Sequence, residues 1–340
     1  MVREVFSGGR CYCCYAAETG YGTGGSPIAG NYFGKINSFV LDMEEQRIFS
    51  QGVGEGRNYT SAKNGNFILS GSISGEVIDF TPLQYAIGDI QGSGTSGAPY
   101  ELVEQDALDY TNGLKTLHLE VGHVGVTNSS VFDLTGIFLN TLTLSGQVGR
   151  PLMFNTAFIG QTTTKSTSAL TYTTPVLKPF ICNTLQITDG TNAINVVNFN
   201  WTIENNSNAL YEVNGSRFSS WIGIGVRRYR WSYTLLYDYN DAASTLSAIE
   251  LLEYFFGASG ANTPIAATVD PTALTLKLAI SEGVATGDRT ASIDLENCFV
   301  TNWSHPINWD DDKVQVTVSG IGFAGLSDST DKVPIRFYTS

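Results

Sequence analysis

Charge is the scarcest commodity in this chain of 340 residues: Asp, Glu, Lys and Arg together supply only 15% of it. An ordinary soluble chain carries roughly 25%. So charge-poor a surface suits a protein that covers much of it with copies of itself. Basic residues are the scarcer sign, with 19 Lys and Arg against 32 Asp and Glu and a net charge of −13. That balance argues against a tightly held nucleic acid, because affinity for phosphate rests on Lys and Arg. It leaves open a duplex that passes nearby and is repelled. No apolar run approaches the roughly 20 residues of a membrane helix, so no membrane partner is expected. The first twenty residues, MVREVFSGGRCYCCYAAETG, lack the apolar core of a secretory leader.

Catalytic signatures are also missing. There is no GxSxG, HExxH or P-loop. The three histidines, His118, His123 and His305, have no Cys, Asp or Glu at triad or ligand spacing and read as solvated or hydrogen-bonded side chains. The run GVGEGR (52–57) resembles a dinucleotide fingerprint, but no helix follows it and a hairpin entry is expected. Five cysteines fall as Cys11, Cys13 and Cys14 together, with Cys182 and Cys298 alone. An odd count at uneven spacing is no disulfide framework. The CxCC cluster has no fourth Cys or His close by in sequence, so reduced, partly buried thiols are expected rather than a metal site. Asp310, Asp311 and Asp312 lack the alternating ligands of a calcium loop and read as a charged turn. Asn-x-Ser/Thr triplets at Asn58, Asn128, Asn200, Asn205, Asn214 and Asn302 occur without a secretory leader, and no glycosylation is expected. The expectation is therefore no enzyme, with no catalytic, metal or cofactor site.

What is abundant is the strand signal. Leu117, Leu119 and Val121 alternate with Thr116, His118 and Glu120. Leu274, Leu276 and Leu278, then Val314, Val316 and Val318, repeat the pattern. Two helices are expected. One starts near Pro82 and stops at Gly88. The other is capped by Ser244 or Thr245, ends near Phe256, and has Leu246, Ile249, Leu252 and Phe256 on one face. The loops that follow Gly88 and Gly257 are long and charge-poor, and Gln91–Ala98 is a candidate contact between copies.

These elements come in the same order twice, at an offset of about 160 residues. Arg57 answers to Arg217, Leu117 to Leu276, and Gly160 to Gly322. A Gly- and Tyr-rich arm (1–56), a first domain (57–165), a Thr/Ser-rich linker (166–180) and a second domain (181–340) follow, with two cores expected. Arg227, Arg228 and Arg230, interleaved with Tyr229 and Trp231, form the one basic–aromatic cluster. It could touch nucleic acid by charge and stacking. The alternative, favoured by the acidity of the chain, pairs the arginines with carboxylates of a neighbouring copy, with the aromatics packed between them.

GRNYTSAKNGNFILSGSISGEVIDFTPLQYAIG and LTGIFLNTLTLSGQVG in the first copy, with NGSRFSSWIGIGVRRYRWSYTLLYDY and IDLENCFVTNW in the second, resemble the major tail tube proteins of long-tailed bacterial and archaeal viruses. The resemblance implies a mainly β chain of two tandem tail-tube-like β-sandwich domains, each with one flanking helix. Their strands would join an intersubunit β-barrel. It further implies homotrimeric rings with pseudo-sixfold symmetry, stacked into a tube that carries the genome to the host. Tape measure, terminator and baseplate proteins would be its partners, with double-stranded DNA passing transiently and without sequence-specific binding. The lumen is expected to be net negative, with Arg227, Arg228 and Arg230 paired away from it. A β-sandwich virion surface protein that binds a receptor or glycan is the alternative, suited by the 11% aromatic content.

Overall fold

The computed structural model describes residues 11–51, 59, 61–95, 98–111, 113–125, 128–171, 177–189, 191–237, 245–282, 288–306, 314–324, 326–327, 331–332 and 334–338. It is mainly β. The first half contains β1 (Cys11–Ala17), β2 (Lys35–Ser50), β3 (Ser61–Glu76), the short helix α1 (Gln84–Ile87), β4 (Gly88–Gln91), β5 (Tyr100–Glu104), β6 (Leu117–Val124), β7 (Ser129–Gln147), β8 (Met153–Gly160) and β9 (Thr162–Ser166). The second half opens with β10 (Gln186–Thr188), β11 (Ala193–Ile194), β12 (Val196–Glu204), β13 (Asn208–Leu210), β14 (Trp221–Gly223) and β15 (Arg228–Leu236). It continues with β16 (Thr245–Leu246), α2 (Ala248–Phe256), β17 (Leu274–Ser281), β18 (Thr290–Ser304) and β19 (Gln315–Ala324). A two-residue ladder of β20 (Leu326–Ser327) with β21 (Asp331–Lys332) precedes β22 (Ile335–Tyr338).

The main sheet runs, neighbour to neighbour, β2, β3, β8, β7, β12, β15, β19, β18, every pair antiparallel. Strict alternation decides its faces. Leu69, Ile73, Phe158, Leu142, Trp201, Tyr229, Trp231 and Val318 point to one side and are buried. Ser and Thr alternate with them on the other.

Two long strands leave this sheet halfway. The first part of β7 pairs with β6 and β9, and β6 with β1. The first part of β18 pairs with β17 and β22, and β17 with β10. Each long strand therefore serves both layers of a sandwich. The crossing points carry the two conformations that left-handed backbone requires. Gly136 has φ +66° and Asn297, at the corresponding place in β18, has φ +48°; glycine and asparagine tolerate this region best.

The pairing scheme 2-3-8-7-6-1 of the first half thus reappears as 12-15-19-18-17-10 in the second. Register irregularities reappear too: Leu139/Thr141 in β7 and Val300/Asn302 in β18 flank matching bulges. The ladders align Gly160 with Gly322, opposite Leu69 and Tyr229 respectively. They align Leu117 with Leu274 rather than Leu276, since both precede the shift in their ladders. The expected pairing of Leu117 with Leu276 is therefore two residues out. Arg57 lies outside the described residues.

Two further expectations change. The described part of the segment read as an arm, 11–51, is built into its own chain: β1 pairs along its whole length with β6, β2 lies against β3, and Tyr15 and Phe33 are in the core. Nor does each half have a core of its own. The main apolar cluster runs from Cys13 to Phe337 through both halves, because β7 and β12 pair directly and β22 returns to β5, and a smaller one gathers Tyr21, Leu114, Phe138 and Ile222.

The long helix starts later than expected. Ser247, not Ser244 or Thr245, caps α2: Glu250 N–H donates to its hydroxyl, and the Glu250 carboxylate accepts from Ser247 N–H. This is a capping box. Gly257, φ +112°, ends it. The buried face is Ala248 and Leu251, with Tyr254 packed beside them, not the Leu246–Ile249–Leu252–Phe256 line. Ser244 lies outside the described residues. The first helical segment, Thr81–Leu83 then α1, stops at Gly88 as expected.

Candidate channel face and sheet edges

The outward face of the main sheet is polar and, over its middle, uncharged. Ser72, Ser74, Asn155, Thr141, Thr143 and Ser145 come from the first half. Asn198, Asn200, Thr202, Ser232, Thr234, Thr317 and Ser319 continue the same rows. Thr143 and Thr202 touch across the junction of the halves, Oγ1 to Oγ1 3.0 Å. Hydroxyls and amides of this kind hydrogen-bond water readily and hold no fixed charge. Charge gathers at the ends of the face: Lys35 with Glu76 at one end, 3.2 Å, and Asp42, Glu44, Glu204, Arg228 and Arg230 towards the other.

Both lateral edges of the sheet are open among the described residues. No described strand pairs with the outer edge of β2 from Lys35 to Phe49, or with that of the second half of β18. Edges of this length invite pairing with another chain. The far half of the β2–β3 hairpin also carries exposed Ile48, Phe49 and Tyr59, and Arg217 steadies it through Glu45 at 2.7 Å.

Three of the arginines lie at the junction of the halves. Arg227 Nη1 sits 3.3 Å from Glu104 Oε1, its Nε donates to Asn205 Oδ1 at 2.8 Å and its Nη2 to Gln105 O at 3.1 Å. A groove of about 570 Å³, lined in part by Glu104, Asp106, Val226 and Ile321, opens beside this cluster. Arg289 donates to Glu282, to the carbonyls of Ile78 and Lys178, and lies 5.1 Å over the Phe180 ring. Arg336 bridges Glu101 and Asp294. Asp294 is buried, and that burial raises its carboxyl above the ordinary range.

The basic–aromatic cluster is thereby corrected in two respects. Arg227 and Arg230 pair within their own chain, Arg230 with Glu204 at 2.9 Å, while Arg228 is exposed and has no ion pair among the described residues. Tyr229 and Trp231 are not packed between the arginines. They face the core, where Tyr229 stacks on Trp201 and Trp231 lies tilted against Tyr233, because strand neighbours point to opposite sides.

Pairing of β1 with β6 places Cys11 opposite His123, Sγ to Nδ1 2.9 Å, a contact invisible from the spacing of CxCC alone. Cys13 and Cys14 are buried, none of the five cysteines is in a disulfide, and burial raises the thiols of Cys11, Cys13 and Cys14. Among the described residues no group of three His, Cys, Asp or Glu is placed to hold a metal. His118 Nδ1 lies 2.8 Å from Gly25 O, and His305 stacks on Tyr237. Asn205 is buried, its amide donating to Ala86 O and Leu139 O. Asn200 and Asn302 are exposed on strands, and Asn214 lies in an exposed turn with Gly215. Asn128 immediately precedes β7. Asn58, Asp310–Asp312 and the GVGEGR run lie outside the described residues. The loop after Gly88 is a hairpin between β4 and β5, closed by Thr95 and Ala98.

One buried group escaped sequence reading altogether. Glu18 accepts from Gly136 N–H at 2.8 Å, from Gly22 N–H at 3.0 Å and from the Thr116 hydroxyl. It ties the turn after β1 to the bend in β7. Burial raises its carboxyl, and those three donors oppose the rise.

A charge-poor β sandwich with long open edges and a neutral polar face is a subunit built for repetition. The chain belongs to the phage tail tube protein family, whose model matches residues 8–297. It is a structural protein of the virion tail. No curated protein matches it.

Proposed function

We propose that copies of this chain join side to side into closed trimeric rings, and that the rings stack into the tube through which the viral genome travels to the host. The observation that carries this is the main sheet, polar on one face, apolar on the other, and open at both edges. Two different edges on one sheet make a head-to-tail contact, which closes a ring if the rotation allows. With about 24 strands from three copies, spaced about 4.8 Å and tilted ~40°, the wall is about 48 Å across at the backbone. The neutral Ser/Thr/Asn face then lines the channel. Over the middle of that face DNA meets no cation and slides; Lys35, Arg228 and Arg230 stand at its ends among the carboxylates of Glu76, Asp42, Glu44 and Glu204, and charges there are screened beyond about 8 Å at physiological salt.

The repeated pairing scheme supports reading the chain as two tandem tail-tube-like domains joined by 166–180, the second 181–340 and the first taking in β1 and β2 as well as 57–165, each filling one of six positions. On this reading the lining is uncharged over its middle and keeps its carboxylates at the ends, and Arg228 and Arg230, expected away from a net negative lumen, stand at one end of it. We assign the chain no catalytic role; its work is assembly with itself and with tape measure, terminator and baseplate proteins. Electron micrographs of the concentrated protein test this: rings and tubes with threefold end views are expected. Discrete single particles at every concentration would overturn it.

A further inference from the structure

The seam inside the chain foretells the seam between chains. Within one copy, β7 of the first half pairs with β12 of the second: Thr141 stands opposite Glu204, Leu142 opposite Ile203, and Thr143 opposite Thr202. The repeated ladders give each of these a counterpart. Phe138 and Phe299 both pair with an isoleucine one residue before the matched glycines, Ile159 and Ile321. Counting through the shared bulge, Thr141, Leu142 and Thr143 correspond to Asn302, Trp303 and Ser304. On the other side, Ile203 pairs with Tyr229 and Met43 with Leu69. Glu204, Ile203 and Thr202 therefore correspond to Glu44, Met43 and Asp42.

We infer that β18 of one copy pairs antiparallel with β2 of the next in this same register, with Asn302, Trp303 and Ser304 opposite Glu44, Met43 and Asp42 of the neighbouring copy. The inference rests on the ring reading above and specifies which edges meet and how.

Burial agrees with it. Leu142 and Ile203 are fully buried at the internal seam, whereas Met43 is 49% exposed and Trp303 partly so; joining the edges covers both. The direction is right, since the alternation along the main sheet leaves β18 antiparallel to an incoming β2. The polar face also continues unbroken, Ser304 and Asp42 extending the row begun by Thr143 and Thr202. The competing arrangement, β2 against β2 of a second copy, sets the carboxylates of Asp42 and Glu44 against their like, which is destabilising. Asn302 and Ser304 carry no charge.

Cysteine pairs test it on the assembled full-length protein. Asp42→Cys with Ser304→Cys should, on oxidation, convert the single-chain band on a non-reducing gel into bands of two and three chains. Thr143→Cys with Thr202→Cys, the internal equivalent, should close within one chain. Rings that cross-link instead through Asp42→Cys alone, or through Glu44→Cys with Ser304→Cys, would overturn the register while leaving the ring reading intact. Absence of rings from the unmodified protein would overturn both. Should the paired variant fail to fold, hydrogen exchange on the unmodified protein decides: amides of 40–44 and 302–304 should slow together on assembly. Exchange unchanged at either edge would overturn the pairing.

Discussion

Arg227 and Glu104 face each other at 3.3 Å across the junction of the two halves, each side chain 7% exposed. One comes from the turn before β15, the other from the end of β5, so a single ion pair spans elements more than a hundred residues apart. Removing one partner leaves the other charged, buried and alone, which costs about 3–5 kcal/mol. Arg227→Met should lower the unfolding free energy by that order in a urea titration. Adding Glu104→Leu should restore much of it, because the stranded charge goes too.

The bend in β7 and its counterpart in β18 should respond to different substitutions. A Cβ on Gly136 would lie 2.5 Å from Gln161 Cβ, at a φ of +66°. Gly136→Ala should therefore lower thermal stability by more than the roughly 1 kcal/mol of backbone strain alone. Asn297→Gly should be close to neutral, and Asn297→Val should cost about 1–2 kcal/mol. Melting temperatures of the three variants check this.

Glu18 gives a pH dependence of definite sign. Its folded carboxyl titrates above the ordinary value of 4.5, so the folded chain holds this proton more tightly than the unfolded one. The contribution is full below that value and declines as pH rises through the window just above it. Glu18→Gln strands a donor among Gly22, Gly136 and Thr116 and should cost about 1–3 kcal/mol. The difference between variant and parent should be larger at pH 4.5 than at pH 7 in denaturant titrations.

Positive charge placed on the neutral face should act on DNA and not on assembly. Asn200→Lys with Ser232→Lys adds charges that repeat from ring to ring. Tubes should form normally, while genome ejection from particles carrying the variant slows, most at low salt. Ejection at the parental rate would remove this face from the channel.

Deleting Gln91–Ala98, the tip of the β4–β5 hairpin, should leave a folded chain that no longer polymerises. Sedimentation of the variant at concentrations where the parent forms tubes measures this directly.

Much of the strand content was legible because alternation is local: β6, β17 and β19 are visible in Leu117–Leu119–Val121, Leu274–Leu276–Leu278 and Val316–Val318. Gly88 and Gly257 marked both helix ends for the same reason. The helix start was misplaced because Ser244, Thr245 and Ser247 are all plausible caps, and only the reach of Glu250 selects Ser247. What a single sequence could not supply was pairing at a distance. Cys11 meets His123, and Arg227 meets Glu104, only once β1 lies on β6 and the halves are joined. The neutrality of the sheet's outward face was legible in principle, since Asn198, Asn200, Thr202 and Ser232, Thr234 alternate with aromatics and aliphatics. Whole-chain acidity says nothing of a single face.

The direct pairing of β7 with β12 has a kinetic meaning for assembly. In the proposed ring of six positions from three chains, every second seam would be formed as the chain folds, at an effective concentration of order millimolar set by the tether rather than by how much protein the cell contains. Only three encounters remain to close a ring. Two successive ones leave a single gap whose edges are already held near each other, so partial rings are short-lived and completion outruns dispersal. Joining two positions in one polypeptide also fixes their order around the circumference. A tube made this way can present different loops at alternate positions without ever sorting two kinds of subunit.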